Sequence, residues 1–166
     1  MVHGCGATFN GCALNESLLQ GPDLTNTLLG VLLRFRQGRM AFGADIASMF
    51  FQDKLHPRDW DSLCFLWWQD GDLSQPPQDY QMMVDLFGAK SSPACANCAL
   101  KRVAEDNATK ASSEAVLVIK RAFYVDDCLK SVDSERAAMH LVAEVKSLLK
   151  SGGFNLTKFP AIAETF

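Results

Sequence analysis

The stretch KRAFYVDDCLKSV, Lys120 to Val132, sets two adjacent carboxylates, Asp126 and Asp127, between apolar runs. Ionised carboxylates beside a buried strand are costly to desolvate unless a cation meets them. VLVIKRAFYV leads into the pair and CLKSV leads out, a hairpin pattern with the charges at its turn. The question this pattern raises is which cation meets the two carboxylates and what it does there.

The rest of the chain supplies partners for that hairpin. RMAFGADI (39–46) reads as a buried strand, and SMFFQ after it as a short helical turn. LCFLWW (63–68) and YQMMVDLF (80–87) are strand-like and separated by a Gly/Asp/Pro-rich loop, and FNLTKF (154–159) alternates like a last strand. Three helices are expected. One opens near Gly21-Pro22-Asp23 and carries Leu24, Leu28, Val31, Leu32 and Phe35 on one face before Gly38. A second spans 91–107, opened by Ser-Ser-Pro. The third spans 133–153, with Ser134 as cap, Met139, Val142, Val145 and Leu149 as its apolar face and Gly152-Gly153 as its end. Residues 1–20 and 108–115 read as loop. This order predicts an α+β fold, a mostly antiparallel sheet backed by helices.

With 166 residues, 48% of them hydrophobic, the chain can bury one sizeable core. Its formal charge is −3, from 16 basic and 19 acidic residues, which argues mildly against a stand-alone nucleic-acid binder. The six cysteines lack the spacing of a disulfide framework. Cys95-x-x-Cys98 has no second pair to complete a zinc site. No signal peptide or membrane-spanning run is visible. The expectation is an intracellular, cytoplasmic protein with reduced thiols, in which the sequons at Asn15, Asn107 and Asn155 are chance matches.

Asp45, in FGADIASMF, also follows a β-like run. Adjacent central strands would bring it to Asp126 and Asp127, and three clustered carboxylates repel one another unless hard divalent cations lie between them. Mg²⁺ takes oxygen ligands and substrate phosphates, and two such ions activate a hydroxyl and stabilise a leaving pyrophosphate. An Asp-Asp pair is equally ordinary turn chemistry, and spacing does not decide between the two readings.

The flanking motifs do discriminate. FYVDDCL has the Tyr-x-Asp-Asp form of the reverse-transcriptase palm, and ADIASMFFQ resembles the other catalytic-aspartate motif. LFGAKSSPACAN resembles the segment beneath the incoming nucleotide, and LLKSGGFNLTKF the following Gly…Lys motif. Together with LNESLLQGPDLTNTLLGVLLRFRQG, FLWWQDGDLSQPP and YVDDCLKSVDSERAA, the chain resembles the polymerase of BEL/Pao-type LTR retrotransposons over roughly residues 9–159.

That resemblance implies a role for each matching residue. Asp45 and Asp126 would bind two Mg²⁺ ions, for which Mn²⁺ can substitute, with Asp127 as a weaker ligand. Phe50 matches the aromatic steric gate that excludes a ribose 2′-hydroxyl. Phe87 and Gly88 match the motif under the nucleotide, where glycine permits close backbone approach. Ser92 and Pro93 would open the helix supporting the template strand. Tyr124 would lie near the primer terminus. Lys158 matches the lysine proposed to protonate the pyrophosphate leaving group. Core packing is the competing account of Phe50 and Tyr124, and a solvated side chain that of Lys158. Arg34 and Arg36 could touch template phosphate, but a solvated helix face is the simpler account of both. One ring of Trp67-Trp68 in the core is the simpler account of that pair.

The implied partners are an RNA/DNA template-primer and a dNTP, with no membrane. The expected organisation is a single partial reverse-transcriptase domain. Residues 1–38 would form partial fingers and the helix leading into the palm, 39–159 the palm with finger insertions, and 160–166 a tail. VHGCGATFNG lacks the Lys and Arg with which the family grips the triphosphate. No thumb, RNase H or integrase region follows Phe159. The expectation is therefore a fragment of a polyprotein with weak or absent polymerisation on its own. The alternative is a non-catalytic remnant acting as a binding or structural module, or with no function. A metal-dependent phosphatase would also cluster aspartates, but would not explain the other motifs in this order.

Overall fold

The computed structural model describes residues 4–159 and 163–164. In chain order, the short helix α1 (Leu14–Ser17) and the helix α2 (Leu28–Phe35) precede the strand β1 (Met40–Ile46). The hairpin β2 (Cys64–Trp67) and β3 (Gln78–Gln81) follows, then the helices α3 (Ser92–Asp106) and α4 (Ser113–Arg121). The strands β4 (Phe123–Tyr124) and β5 (Asp127–Val132) lead to the helix α5 (Glu135–Ser151) and the short strands β6 (Leu156–Thr157) and β7 (Ala163–Glu164).

The main sheet runs β4-β5-β1-β6, with β7 also paired to β1, and every pairing is antiparallel. The register aligns Phe42 with Lys130, Ala44 with Cys128 and Asp45 with Asp127. Side chains alternate across a pleated strand, so Phe42, Ala44 and Ile46 point to one face. There they join Cys128 and Val132 in a core with Ala96, Leu100 and Val103 of α3, Val118 and Ile119 of α4, and Leu141, Val145 and Leu149 of α5. The alternate set, Gly43, Asp45, Asp127 and Leu129, lines a cleft on the uncovered face. The expected α+β class, an antiparallel sheet backed by helices, is the one observed.

A smaller cluster of Cys5, Leu63, Leu86 and Ala89 packs with Leu14, Leu18, Leu55 and Met82 beside the β2–β3 hairpin. This hairpin keeps Phe65 and Tyr80 stacked at 5.8 Å as register partners. Trp67 is exposed and meets Trp68 edge to face at 6.2 Å.

Several elements differ from the sequence expectation. VLVIKR is the body of helix α4, not a strand, and only Phe123 and Tyr124 form the incoming arm of the hairpin. Ser112 accepts a hydrogen bond from Ala115 N at 3.1 Å, which starts the helix inside the expected 108–115 loop. Ala115, Val118 and Ile119 then recur at helical spacing on the core side. Helix α2 begins at Leu28, because Thr27 Oγ1 accepts from Gly30 N; Gly21-Pro22-Asp23 stays outside it. Of YQMMVDLF only Tyr80 and Gln81 lie in a strand. Ser134 does cap α5, accepting from Ala137 N at 3.2 Å. The buried face of α5 is Ala138, Leu141, Val145, Leu148 and Leu149, while Met139 is exposed. Expected tail residues 160–162, 165 and 166 lie outside the described residues.

All six cysteines are unpaired. Burial pushes the Cys128 thiol up to about 12, so it behaves as a small core hydrophobe rather than a reactive group. Among the described residues no helix is long and apolar enough to cross a membrane.

Candidate active-site cleft

A cleft of about 590 Å³ opens on the uncovered face of the sheet, lined by Gly43, Ala44, Asp45, Asp127, Leu129, Lys158 and Phe159. The β1–β5 ladder brings two of the three predicted aspartates together. Ile46 N donates to Asp126 O at 2.9 Å, which makes Asp45–Asp127 a non-hydrogen-bonded pair, the kind whose side chains lie closest. Two carboxylates facing each other there repel. Lys158 offsets the repulsion: its Nζ donates to Asp45 Oδ2 at 3.2 Å.

The Asp127 carboxyl is pushed above its usual range, first by partial desolvation, then by Asp126 and Asp45, with Lys158 acting in the opposite direction. The three aspartates and the lysine thus form one electrostatic unit. They are not equivalent in place. Asp126 occupies the two-residue turn between the paired Tyr124 and Asp127, so the register sets Asp127 rather than Asp126 directly across from Asp45.

Two backbone conformations at this site carry strain. Val125, the other turn residue, has φ +56°, and Lys158 has φ +51°. The left-handed region is a true outlier for a β-branched residue, at a cost of about 1–3 kcal/mol. The surrounding ladder over-determines the turn: Leu129 N donates to Ala122 O at 2.9 Å, and Asn26 Nδ2 to Phe123 O at 2.8 Å.

The remaining predicted residues lie outside the lining of this cleft. Phe50 lies in the helical turn Met49–Gln52 after β1, half-buried against the core. Its ring meets the exposed ring of Phe87 edge to face at 5.8 Å. Gly88 has φ +98°, a conformation only glycine adopts without strain. Ser92 and Pro93 open α3. The Ser92 hydroxyl is buried and lies 2.6 Å from both Asp85 Oδ1 and Leu86 O. Tyr124 stands at the edge of the hairpin, partly exposed. None of Phe50, Phe87, Gly88, Ser92, Pro93 and Tyr124 lines the aspartate cleft.

Three further residues shape the site without having stood out in the sequence. Gln52 donates from Nε2 to Ala47 O and accepts from Asn155 N at 2.8 Å, locking the end of β1 to the segment that presents Lys158. Asn15 donates to Gly88 O at 3.1 Å and accepts from Lys90 N at 2.8 Å, holding the loop after Phe87. Asp85 is fully buried, takes hydrogen bonds from Leu86 N and Ser92 on Oδ1, and leaves Oδ2 without a partner. Desolvation pushes its carboxyl up, and that of neighbouring Asp53 as well.

The donor chemistry of Asp45 and Asp127 suits a hard divalent cation: carboxylate oxygens, mutually repelling, on an open face. As the side chains stand, no group of three His, Cys, Asp or Glu among the described residues is gathered tightly enough to hold a metal ion. The fit is that of a facing pair with Asp126 beside it, and the positive charge at the pair is the Lys158 ammonium.

No protein-family model and no curated protein matches the chain. Solved structures do. The foamy viral protease-reverse transcriptase dRH in complex with double-stranded DNA superposes with a TM-score of 0.65 at 16% identity, over 87% of this chain and 22% of that one. The foamy viral protease-reverse transcriptase in complex with an RNA/DNA hybrid gives 0.64 at 17%, over 87% and 17%. The native Prototype Foamy Virus protease-reverse transcriptase gives 0.62 at 18%, over 87% and 17%. The chain spans about a fifth of their length, and it has a reverse-transcriptase-like fold.

Proposed function

We propose that the chain is the palm region of an RNA-directed DNA polymerase of the BEL/Pao LTR-retrotransposon type, transferring a nucleotide from a dNTP to a primer 3′-hydroxyl. One observation carries the reading: Asp45 and Asp127 face each other across β1 and β5, beside Lys158, on the uncovered face of a reverse-transcriptase-like sheet. An open face suits a bound template-primer duplex, and two of the similar solved structures were captured with nucleic acid.

In this reading Asp45, Asp126 and Asp127 would hold two Mg²⁺ or Mn²⁺ ions. Bound there, the metal supplies activation of the 3′-hydroxyl and neutralisation of the pyrophosphate charge. Lys158 holds a proton at Nζ within reach of the same cleft, where it donates to the leaving pyrophosphate oxygen. Phe50, braced by Phe87, blocks the space a ribose 2′-hydroxyl needs. Gly88 lets the backbone approach the nucleotide, Ser92 and Pro93 fix the helix behind it, and Tyr124 borders the primer end. Such an enzyme works inside the cell, in the cytoplasm, as part of a polyprotein that supplies thumb, RNase H and integrase.

A non-catalytic binding or structural module is the second reading. The observation favouring it is that Lys158 already neutralises Asp45 in the absence of a three-carboxylate cluster among the described residues. Primer extension on an RNA template with Mg²⁺ and dNTPs separates the two, run on the wild type and on Asp126→Asn. Mg²⁺-dependent incorporation that the variant lacks supports the polymerase; equal signals from both support the module.

A further inference from the structure

Helices α2 and α4 and the strand β5 enclose a cavity of about 160 Å³. Its floor is Val118, Ala122 and Leu129, and its rim carries Arg34, Arg121 and Lys130. Three cations around one apolar floor stand out in a chain of net charge −3. Arg34 is anchored by donation from its guanidinium to Arg121 O at 2.7 Å, yet its Nε–H is buried without an acceptor. Lys130 is paired at 3.4 Å with the exposed Glu114. Arg121 is exposed.

The surface beside this cavity is apolar. Helix α2 buries only Val31, while Leu29 and Leu33, one turn apart, are 69% and 61% exposed. Leu117 of α4 is 47% exposed on the cavity wall. Exposed leucines next to a cationic recess mark an interaction surface rather than an ordinary solvated helix.

We propose that this face docks an acidic amphipathic segment of a protein partner, with one glutamate or aspartate seated in the Arg34–Arg121–Lys130 recess and leucine-like side chains laid on Leu29, Leu33 and Leu117. The volume decides the scale, since small-molecule pockets run to roughly 300–1,000 Å³ and this recess holds a single side chain. The rim is cationic and the floor apolar, and a carboxylate on an aliphatic stem matches both. A phosphodiester backbone would satisfy the cations but leave the leucines facing water, so nucleic acid is the poorer fit. The recess shares only Leu129 with the lining of the aspartate cleft.

Fluorescence anisotropy tests the proposal with a labelled helical peptide that alternates a leucine stripe with glutamates, against the same peptide with lysines in place of glutamates. The acidic peptide should bind at least about tenfold more tightly than the basic one, and more weakly as salt rises. Arg121→Glu, an exposed change outside the core, should remove about tenfold in affinity, and Leu33→Ser should weaken binding too. Circular dichroism melts confirm that both variants are folded. Equal binding of the two peptides, or full binding by Arg121→Glu, overturns the proposal. So does displacement of the acidic peptide by single-stranded DNA at lower concentration than by unlabelled peptide, which would make this a nucleic-acid surface. Self-association of the chain abolished by Leu33→Ser would assign the face to a second copy instead, and also overturns it.

Discussion

Lys158 Nζ stands 3.2 Å from Asp45 Oδ2 while the Asp45 backbone pairs with Thr157 on one side and Asp127 on the other. The ammonium therefore supplies positive charge directly beside the facing carboxylates. The Lys158 side chain is 75% exposed, so the ion pair contributes at most about 1 kcal/mol to stability. Lys158→Gln should leave the melting temperature nearly unchanged. Its larger effect should fall on metal affinity: Mn²⁺ binding, read by electron paramagnetic resonance, should tighten several-fold once the competing charge is gone. Unchanged or weaker binding in the variant would show that the lysine does not compete.

The buried carboxyl of Asp85 makes stability depend on pH. Folding raises its pKa above the ordinary 3.8, chiefly by desolvation, and Asp53 and Asp127 shift the same way. A folded state with the higher pKa holds its proton more tightly, so the stabilisation is complete below the ordinary value and is lost as pH rises through the raised one. Urea denaturation should give a higher midpoint in mild acid than at pH 8. Asp85→Asn should flatten that slope, because the amide keeps an oxygen for Leu86 N and Ser92 and carries no charge to desolvate. A slope as steep as the wild type's would remove Asp85 as its source.

Gly38 has no room for a side chain. An added Cβ would lie 2.6 Å from both N and O of Val132, and Gly38 N donates to Ser131 Oγ at 2.9 Å. Gly38→Ala must therefore push α2 off β5, at a cost of about 1–3 kcal/mol. A thermal melt within a degree of the wild type would contradict the close approach.

At the hairpin tip, the cost of Val125 at φ +56° should be recoverable. Val125→Asn places a residue that tolerates the left-handed region and should stabilise the fold by about 1 kcal/mol in chemical denaturation. Destabilisation would mean that the Val125 side chain contributes more by contact than its backbone loses.

The sequence carried the sheet more clearly than the helices around it. β1 and β5 were legible because alternation separates Ala44 and Cys128 from Asp45 and Asp127, and a one-residue slip would bury the charges. Helix α4 was misread because VLVIKR is β-branched and runs straight into AFYV, and a short apolar run does not distinguish strand from buried helix. Ser112 as cap and Glu114 in the first turn were the available signals. Gln52 and Asn15 left no trace, since their partners lie 103 and 73 residues away. Asp85 looked like part of a strand, and only its burial beside Ser92 shows it to be a structural acid under the Phe87-Gly88 loop.

The measurement closest to the central claim is Mn²⁺ binding by the wild type, Asp45→Asn and Asp127→Asn, followed by electron paramagnetic resonance with Mg²⁺ as competitor. The facing pair predicts binding that Mg²⁺ displaces and that either substitution weakens by about tenfold or more, with both variants folded. Binding unaffected by both substitutions would contradict the assignment of this cleft as a two-carboxylate metal site.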